Sequence, residues 1–180
     1  VVGGGHAGVE AAWAASRMGA RTLLATISRS TIAKMSCNPA VGGIGKGQLV
    51  REIDALGGLM GRAIDAVGIQ FRILNRSKGP AVQSPRAQAD KYAYQDWIGA
   101  VLGSAENLEI AEAIVAELLV ADSRISGIVC TDGRTFHAPA VVVTAGTFLG
   151  AVLYCGSRRW PGGRFGEPVS NELSDCLRRL

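Results

Sequence analysis

The sequence predicts an α/β fold in which helices flank a parallel sheet, and three observations carry that prediction. A short apolar stretch leads into a glycine-rich turn, Gly3 to Gly8, which overlaps the start of an alanine-rich helix, His6 to Met18. A second apolar strand, Arg21 to Thr26, follows the helix. Much later, Ala140 to Gly146 is largely apolar and ends in small residues, which is the pattern of a parallel strand buried on both faces.

The glycine turn has the spacing of a dinucleotide-binding motif between a strand and a helix. In that motif the first glycine permits a tight turn, the next lets the backbone approach a diphosphate, and the last lets the helix pack closely on the strand. The diphosphate then lies at the N-terminus of the helix, where backbone N–H groups are free. We therefore predict cofactor contacts from six consecutive residues: Gly3, Gly4, Gly5, His6, Ala7 and Gly8.

The second strand lacks the acid that usually binds a ribose hydroxyl about 20 residues after the turn. Either Thr26 or Ser28 supplies a hydroxyl instead, or the ribose is held elsewhere. At the last predicted strand, Gly146 stands at the carboxyl end, and carboxyl ends of parallel strands face the ligand crevice. Gly146 is therefore a further predicted cofactor contact.

From Ser28 the chain leaves simple strand-helix spacing and enters an insertion, residues 28–85. Its second glycine run, Ser36 to Gly47, lacks the residues of a Walker A loop but can form a backbone concavity that faces an anion. We predict a helix over Gly47 to Leu56, a strand and loop over Gly68 to Gln83, and a helix over Arg86 to Leu102 that Pro85 starts.

Short strands separated by turn residues follow, and they predict an antiparallel meander before the last parallel strand. A terminal helix is predicted from Asn171. This order is typical of a Rossmann-like FAD-binding domain of the glutathione-reductase type, with a β-meander crossover and a glycine-rich insertion. The predicted meander strands are Leu108 to Ile110, Ile114 to Ala121, Ile125 to Thr131 and Thr135 to Ala138.

Composition supports one folded domain over residues 1–180, since 48% of the residues are apolar and 19% are charged. We expect this domain to be incomplete at both ends, because only two residues precede the glycine turn and the helical pattern of Asn171 to Leu180 stops without a cap or a terminating glycine. The net charge of +4 comes from 19 basic and 15 acidic residues. A basic series runs through the insertion and is either a solvated face or a track for a nucleic-acid backbone. Its members are Lys34, Lys46, Arg51, Arg72, Arg76, Lys78 and Arg86.

The four cysteines show neither metal-ligand spacing nor a disulfide framework, so we predict no metal site. Cys37 lies at the entrance to the second glycine run, between Ser36 and Asn38, and a thiol in such a loop can act as a nucleophile or an acid. A small buried apolar residue is the competing interpretation. Cys130 and Cys176 fit packing positions. No apolar run is long enough for a membrane span, so no membrane partner is expected.

Several long motifs resemble the MnmG (GidA) family of tRNA uridine 5-carboxymethylaminomethyl modification enzymes. The resemblance covers essentially the whole chain and is far more specific than the glycine turn alone. The motifs are Gly3 to Ala12, Met35 to Gly47, Asp54 to Gly58, Gly68 to Asn75, Ser77 to Val82, Arg86 to Asp90 and Gly162 to Ser170.

The resemblance implies an FAD enzyme that modifies C5 of the wobble uridine in tRNA. It implies methylenetetrahydrofolate as one-carbon donor, NADH as reductant, and the GTPase partner MnmE, which binds a homodimer within a heterotetramer. Carried over by motif, Val115 meets the adenine end of FAD through its backbone, Ser170 is a further contact, and Cys37 is catalytic. The location implied is the bacterial cytoplasm, or the mitochondrion for an organellar protein.

Three alternatives stay open from the sequence. One is a folate- and FAD-dependent methyltransferase of another tRNA uridine, although the Ser36 to Gly47 run is not expected there. Another is an FAD- and NADH-dependent oxidoreductase of small molecules, and the third is a dinucleotide-binding module without catalysis. Because the C-terminal tRNA- and partner-binding domain of the family does not occur in these 180 residues, we expect the chain alone to be inactive.

Overall fold

The parallel sheet forms as predicted, although its strands are unequal in length. A computed structural model describes residues 1–180. In it, β1 (Thr22–Thr26) pairs in parallel with β5 (Leu108–Glu112). Val2 lies beside β1 and forms parallel bridges to Ala25 on one side and to Val143 on the other. The order across this layer is therefore Val143, Val2, β1 and β5, and all of these segments run in the same direction.

Helix α1 (His6–Arg17) follows the glycine turn, as the sequence predicts. Its buried residues, Gly8, Val9, Ala12 and Ser16, share one face of the helix. Met18 is the C-cap of the helix, and the next residue, Gly19, has a φ of 84°, a left-handed value that favours glycine. The opening strand-helix-strand unit therefore has the context that the dinucleotide motif requires.

The prediction that Ala140 to Gly146 is a strand buried on both faces is wrong. Only Val143 of this run forms a bridge, and the side chain of Val142 is 49% exposed. Val141 and Val143 pack against the apolar cluster beneath the meander, so Val142, which alternates with them, faces the opposite side. Helix α1 packs on β1 and β5 of the same sheet.

The insertion builds a second, antiparallel sheet with two helices. The strands β2 (Ala40–Gly42), β3 (Gly68–Leu74) and β4 (Ser84–Ala89) are ordered β2, β4, β3. Helix α2 (Lys46–Ala55) agrees with the predicted helix over Gly47 to Leu56. Helix α3 (Met60–Val67) was not predicted.

The predicted helix from Arg86 to Leu102 begins too early. Residues Ser84–Ala89 form strand β4, and helix α4 spans Lys91–Gly103. Strand β4 lies in the middle of its sheet, where pairing with β2 and β3 outweighs the local helical preference of its residues. Asp90 marks the real start of the helix, because its carboxylate accepts hydrogen bonds from the N–H groups of Tyr92 (2.9 Å) and Ala93 (3.1 Å).

Three of the four predicted meander strands form an antiparallel meander, as β6 (Val115–Ala121), β7 (Arg124–Cys130) and β8 (Thr135–His137). The fourth, Leu108 to Ile110, was wrongly placed there, because it lies in β5 and pairs in parallel with β1. A hairpin of β9 (Val152–Cys155) and β10 (Arg158–Pro161) was not predicted. Helix α5 (Asn171–Arg179) forms where the sequence predicts the terminal helix, and it packs on β6.

Two apolar clusters hold these layers together. The larger one includes α1, α3, α4 and β1, with Tyr94, Leu24 and Leu59 among its most buried side chains. The smaller one joins the parallel sheet to the meander and α5, through residues such as Val2, Val115 and Leu173. A crevice opens at the carboxyl ends of the parallel strands. None of the helices combines the length and the apolar character that crossing a membrane would require.

Candidate functional site

A cavity of about 340 Å³ lies at the carboxyl ends of the parallel strands. It brings together eight of the nine predicted cofactor contacts, and only Gly8 lies outside it. The residues that line it include Gly3, Gly4, Gly5, His6, Ala7, Val115, Gly146 and Ser170. Sequence reasoning missed Thr144, Arg164 and Glu167, which also line the cavity and lie within or next to the strand-end and loop motifs.

The glycines of the turn meet different surroundings. A Cβ atom at Gly3, where φ is 107°, would lie 2.7 Å from the carbonyl oxygen of Thr144, and one at Gly4 would lie 2.5 Å from Thr26 Oγ1. A Cβ atom at Gly8 would lie 1.7 Å from the carbonyl oxygen of Gly3, so the helix packs directly on the turn. At Gly5 no protein atom lies within 4 Å of that position. Gly5 is therefore the position at which a ligand can approach the backbone.

The N-terminus of α1 is open toward this cavity. No side chain caps it, and its first turn contains no acidic residue. The first bond within the helix is from the Val9 N–H to the carbonyl oxygen of Gly5, at 2.9 Å. The free N–H groups and the positive end of the helix dipole favour a bound anion such as a diphosphate.

Of the two hydroxyl residues predicted near the end of β1, the structure places Thr26 in the cavity lining and Ser28 outside it. The Ser28 hydroxyl donates to Glu112 Oε1 at 3.1 Å. The backbone N–H of Arg29 and the Ser28 hydroxyl both donate to Glu112, and they lower the pKa of that carboxyl. An acid thus does stand beside the end of β1, but it comes from β5 and holds the Ser28 loop.

Val115 and Ser170 are neighbours in the folded chain, as their shared predicted role requires. The Ser170 hydroxyl donates to the carbonyl oxygen of Val115 at 3.3 Å, and both residues are buried. Nearby, the Glu167 carboxylate lies between two cations, with Lys34 Nζ at one oxygen and Arg164 Nη1 3.7 Å from the other. These ion pairs tie the loop before α5 to the start of the insertion at the edge of the cavity.

His6 lies where this cavity meets a second one. Burial lowers the pKa of its imidazole, and the positive charge of Arg164 lowers that pKa further. Its ring centroid lies 5.8 Å from that of Tyr94, a buried phenol whose pKa is raised by burial and then by Glu10. The His6 imidazole is therefore neutral near pH 7. The backbone of His6 belongs to the glycine turn that lines the first cavity.

Cys37 lies in the second cavity, which has a volume of about 1020 Å³. The thiol is solvent-exposed, so it is not a core packing residue. His6 and Ala7 line both cavities, so the two spaces adjoin each other at the start of α1. The second glycine run forms one wall of this cavity, and the charged residues around it are Glu10, Lys46 and Arg86.

The other cysteines are placed differently. Cys130 and Cys176 are buried in the core, and burial raises the pKa of the Cys130 thiol, with Asp132 adding to that effect. Cys155 is exposed on β9 and lines neither cavity. No group of three or more His, Cys, Asp and Glu side chains is arranged to hold a metal ion.

Comparisons with known proteins agree with this geometry. The tRNA uridine 5-carboxymethylaminomethyl modification enzyme MnmG of Aquifex aeolicus (strain VF5) is 55% identical over 180 residues, which are 100% of this chain and 29% of that protein. A crystal structure of Aquifex aeolicus GidA, form II, matches with a TM-score of 0.94 and 54% identity, over 99% of this chain and 30% of that one. The GidA-related protein from Thermus thermophilus matches with a TM-score of 0.71 over 99% of this chain and 65% of that one, and at 23% identity it shows the fold alone.

These matches confirm the α/β fold class and the resemblance seen in the motifs. The chain spans 29% of the length of the Aquifex relative. All of residues 1–180 match the family described as "Glucose inhibited division protein A". The chain therefore belongs to the GidA family.

Proposed function

We propose that this chain is the FAD-binding part of an enzyme that adds a (carboxymethyl)aminomethyl group to C5 of the wobble uridine in tRNA. The observation that carries the proposal is the first cavity, where the open position at Gly5 adjoins an uncapped helix N-terminus. Family membership and the name of the Aquifex relative, a tRNA uridine modification enzyme, support the choice of reaction.

The residues at this site suit FAD. The free N–H groups of α1 and the open face of Gly5 match a diphosphate, and Val115 and Ser170 offer a wall for the adenosine end. His6 and Ala7 border both cavities, so an elongated cofactor can extend from the first toward the second. When bound, FAD supplies hydride transfer.

Cys37 is the proposed catalytic residue. Uracil C5 is a weak nucleophile, and addition of the Cys37 thiolate to C6 moves the electron pair of the C5–C6 double bond toward C5 and O4. C5 then attacks an electrophilic one-carbon unit, after which loss of the C5 proton expels the thiolate. Lys46 and Arg86 line the same cavity, and their positive charges favour the negative oxygen that forms during this step. Donation of a proton beside the flavin is the alternative role for Cys37.

The remaining components of the proposal come from the family resemblance. They are methylenetetrahydrofolate as the one-carbon donor, NADH as the reductant, and the GTPase partner MnmE, which binds a homodimer within a heterotetramer. The proposed location is the cytoplasm of a bacterium, or the mitochondrion for an organellar protein.

The test combines cofactor content with nucleoside analysis. We expect the purified full-length protein to be yellow, and tRNA from cells that lack it to lose the aminomethyl-type modification at the wobble uridine. A protein that stays colourless after incubation with FAD contradicts the proposal. Loss of a methyl group from another uridine instead indicates the methyltransferase alternative, and NADH oxidation with unchanged tRNA indicates a small-molecule oxidoreductase.

A further inference from the structure

We propose that Arg72 and Arg86 bind the sugar-phosphate backbone of the RNA substrate, an inference that rests on the proposed function. In the sheet of the insertion, Arg86 of β4 lies directly opposite Arg72 of β3. Side chains directly opposite each other in an antiparallel pair leave the same face of the sheet, with Cβ atoms about 5 Å apart. Like charges placed in this way repel each other, so an anion between them stabilises the arrangement.

The chain provides no such anion. Residues 46–91 contain eight Lys or Arg and four Asp or Glu, so this segment carries the whole net charge of +4. None of its charged side chains forms an ion pair, and all five ion pairs of the protein lie outside it. Asp90 is engaged by the N–H groups of α4. Asp54 and Asp65 border the same groove as Arg72 without pairing to it.

The surface around the arginine pair suits a polyanion. A groove of about 540 Å³ lies between this sheet and helices α2 and α3, and Arg51 and Arg76 line it together with the pair. Phe71 also lines the groove and is 59% exposed on edge strand β3, but its side chain leaves the opposite face of the sheet from that of Arg72. Arginines bind phosphates with two parallel hydrogen bonds, so the arginine pair itself carries the preference for a polyanion.

The position of Arg86 links this surface to Cys37. Arg86 lines both the groove and the cavity that holds Cys37. A backbone held at the arginine pair therefore passes beside that cavity, and a nucleotide turned out of the strand can enter it. Enzymes that act on a base in nucleic acid generally extrude that base into a pocket in this way.

The test measures binding of an unmodified tRNA transcript to the full-length, FAD-loaded protein at several salt concentrations. We expect Arg72→Ala and Arg86→Ala each to weaken binding roughly tenfold. In the double variant, the slope of log K against log salt falls by about 1.4, since each phosphate contact on a single strand contributes about 0.7. In Arg72→Ala, FAD content and flavin reduction by NADH stay unchanged, because Arg72 lines neither the first nor the second cavity.

The matched control is Arg124→Ala, because Arg124 is an exposed strand arginine with Ala121 opposite it and no ion pair. It should leave both affinity and slope unchanged. Since Arg86 is half-buried, Arg86→Gln takes the place of the alanine variant if the latter loses FAD, and the same loss of binding is expected.

Two results overturn the inference while leaving the proposed function intact. One is the result that the wild-type protein binds tRNA and that the double variant binds it with the same affinity and the same salt slope. The other is a double variant that loses affinity only for the GTPase partner, which would make this a protein-binding surface. A wild-type protein without affinity for tRNA contradicts the proposed function itself, and this inference with it.

Discussion

Gly5 and Gly8 belong to the same turn, yet a methyl group added to each meets opposite surroundings. At Gly5 the new Cβ atom would have no protein atom within 4 Å, and the backbone φ of −71° is accessible to alanine. At Gly8 it would lie 1.7 Å from the carbonyl oxygen of Gly3 and 2.7 Å from Thr144 Oγ1. Gly5→Ala therefore tests ligand approach, and Gly8→Ala tests the packing of α1 on the turn.

For Gly5→Ala we expect the free energy of unfolding of the apoprotein to change by less than about 1 kcal/mol, because a weaker N-cap and a less flexible unfolded chain offset each other. The methyl group occupies the space through which the diphosphate reaches the backbone. Loss of one hydrogen bond to a charged group costs about 1.5–3 kcal/mol, so the dissociation constant for FAD rises by at least roughly tenfold.

For Gly8→Ala the order of effects is reversed. The methyl group cannot fit without a shift of α1 away from Gly3, where the Thr144 hydroxyl also donates to the Gly3 carbonyl oxygen at 3.0 Å. Overpacking of this kind costs about 1–3 kcal/mol or more in unfolding free energy. Weaker FAD binding then follows from the distorted turn.

Urea titration of the apoproteins and flavin fluorescence titration measure the two quantities separately. Gly99→Ala is the control, because Gly99 lies within α4 with no atom near its Cβ position and lines neither cavity. It should be stabilised by about 1 kcal/mol through helix propensity and bind FAD normally. The reasoning is refuted if Gly5→Ala binds FAD like the wild type, or if it loses as much stability as Gly8→Ala.

Three further predictions concern catalysis, helix capping and pH. Cys37→Ser in the full-length enzyme should abolish tRNA modification while FAD content stays normal, as nucleoside analysis and the flavin spectrum would show; full modification would remove Cys37 from the mechanism. Asp90→Ala should lower the free energy of unfolding by about 1 kcal/mol in urea titrations, because α4 loses its N-cap, whereas Asp96→Ala, an exposed change within the same helix, should have less effect. The pKa of the His6 imidazole is lowered in the folded state, so the unfolded chain binds a proton at His6 more readily than the folded protein does. The free energy of unfolding should therefore fall as the pH drops below about 6.5, the usual pKa of histidine, and the fall should stop below the folded-state pKa. Urea titrations at pH 7.5 and 5.5 should show a smaller pH effect for His6→Gln than for the wild type or for His137→Gln; an equal effect would rule out His6 as its source.

The local signals in the sequence were sufficient for the parts of the fold that depend on neighbouring residues. The glycine turn predicted α1 and the cavity at its N-terminus, and turn residues predicted the meander, because φ preferences and helix ends are set within a few residues. Eight of the nine predicted cofactor contacts line one cavity. Six of the nine were predicted from the glycine turn and one from the end of a strand, whereas Val115 and Ser170 were predicted from the family resemblance. Whether those residues bind FAD stays a prediction.

Distant parts of the chain decided the rest. Strand β4 replaced a predicted helix because β2 and β3 pair on both of its sides. Helix α3 begins where the Glu10 carboxylate accepts the N–H groups of Leu59 and Met60, 49 and 50 residues away, so no local pattern marks it. Arg72 and Arg86 likewise lie opposite each other only because of the register in which β3 and β4 pair. A sequence records the preferences of each segment, whereas hydrogen bonds and charges across the fold exist only after the segments have packed together.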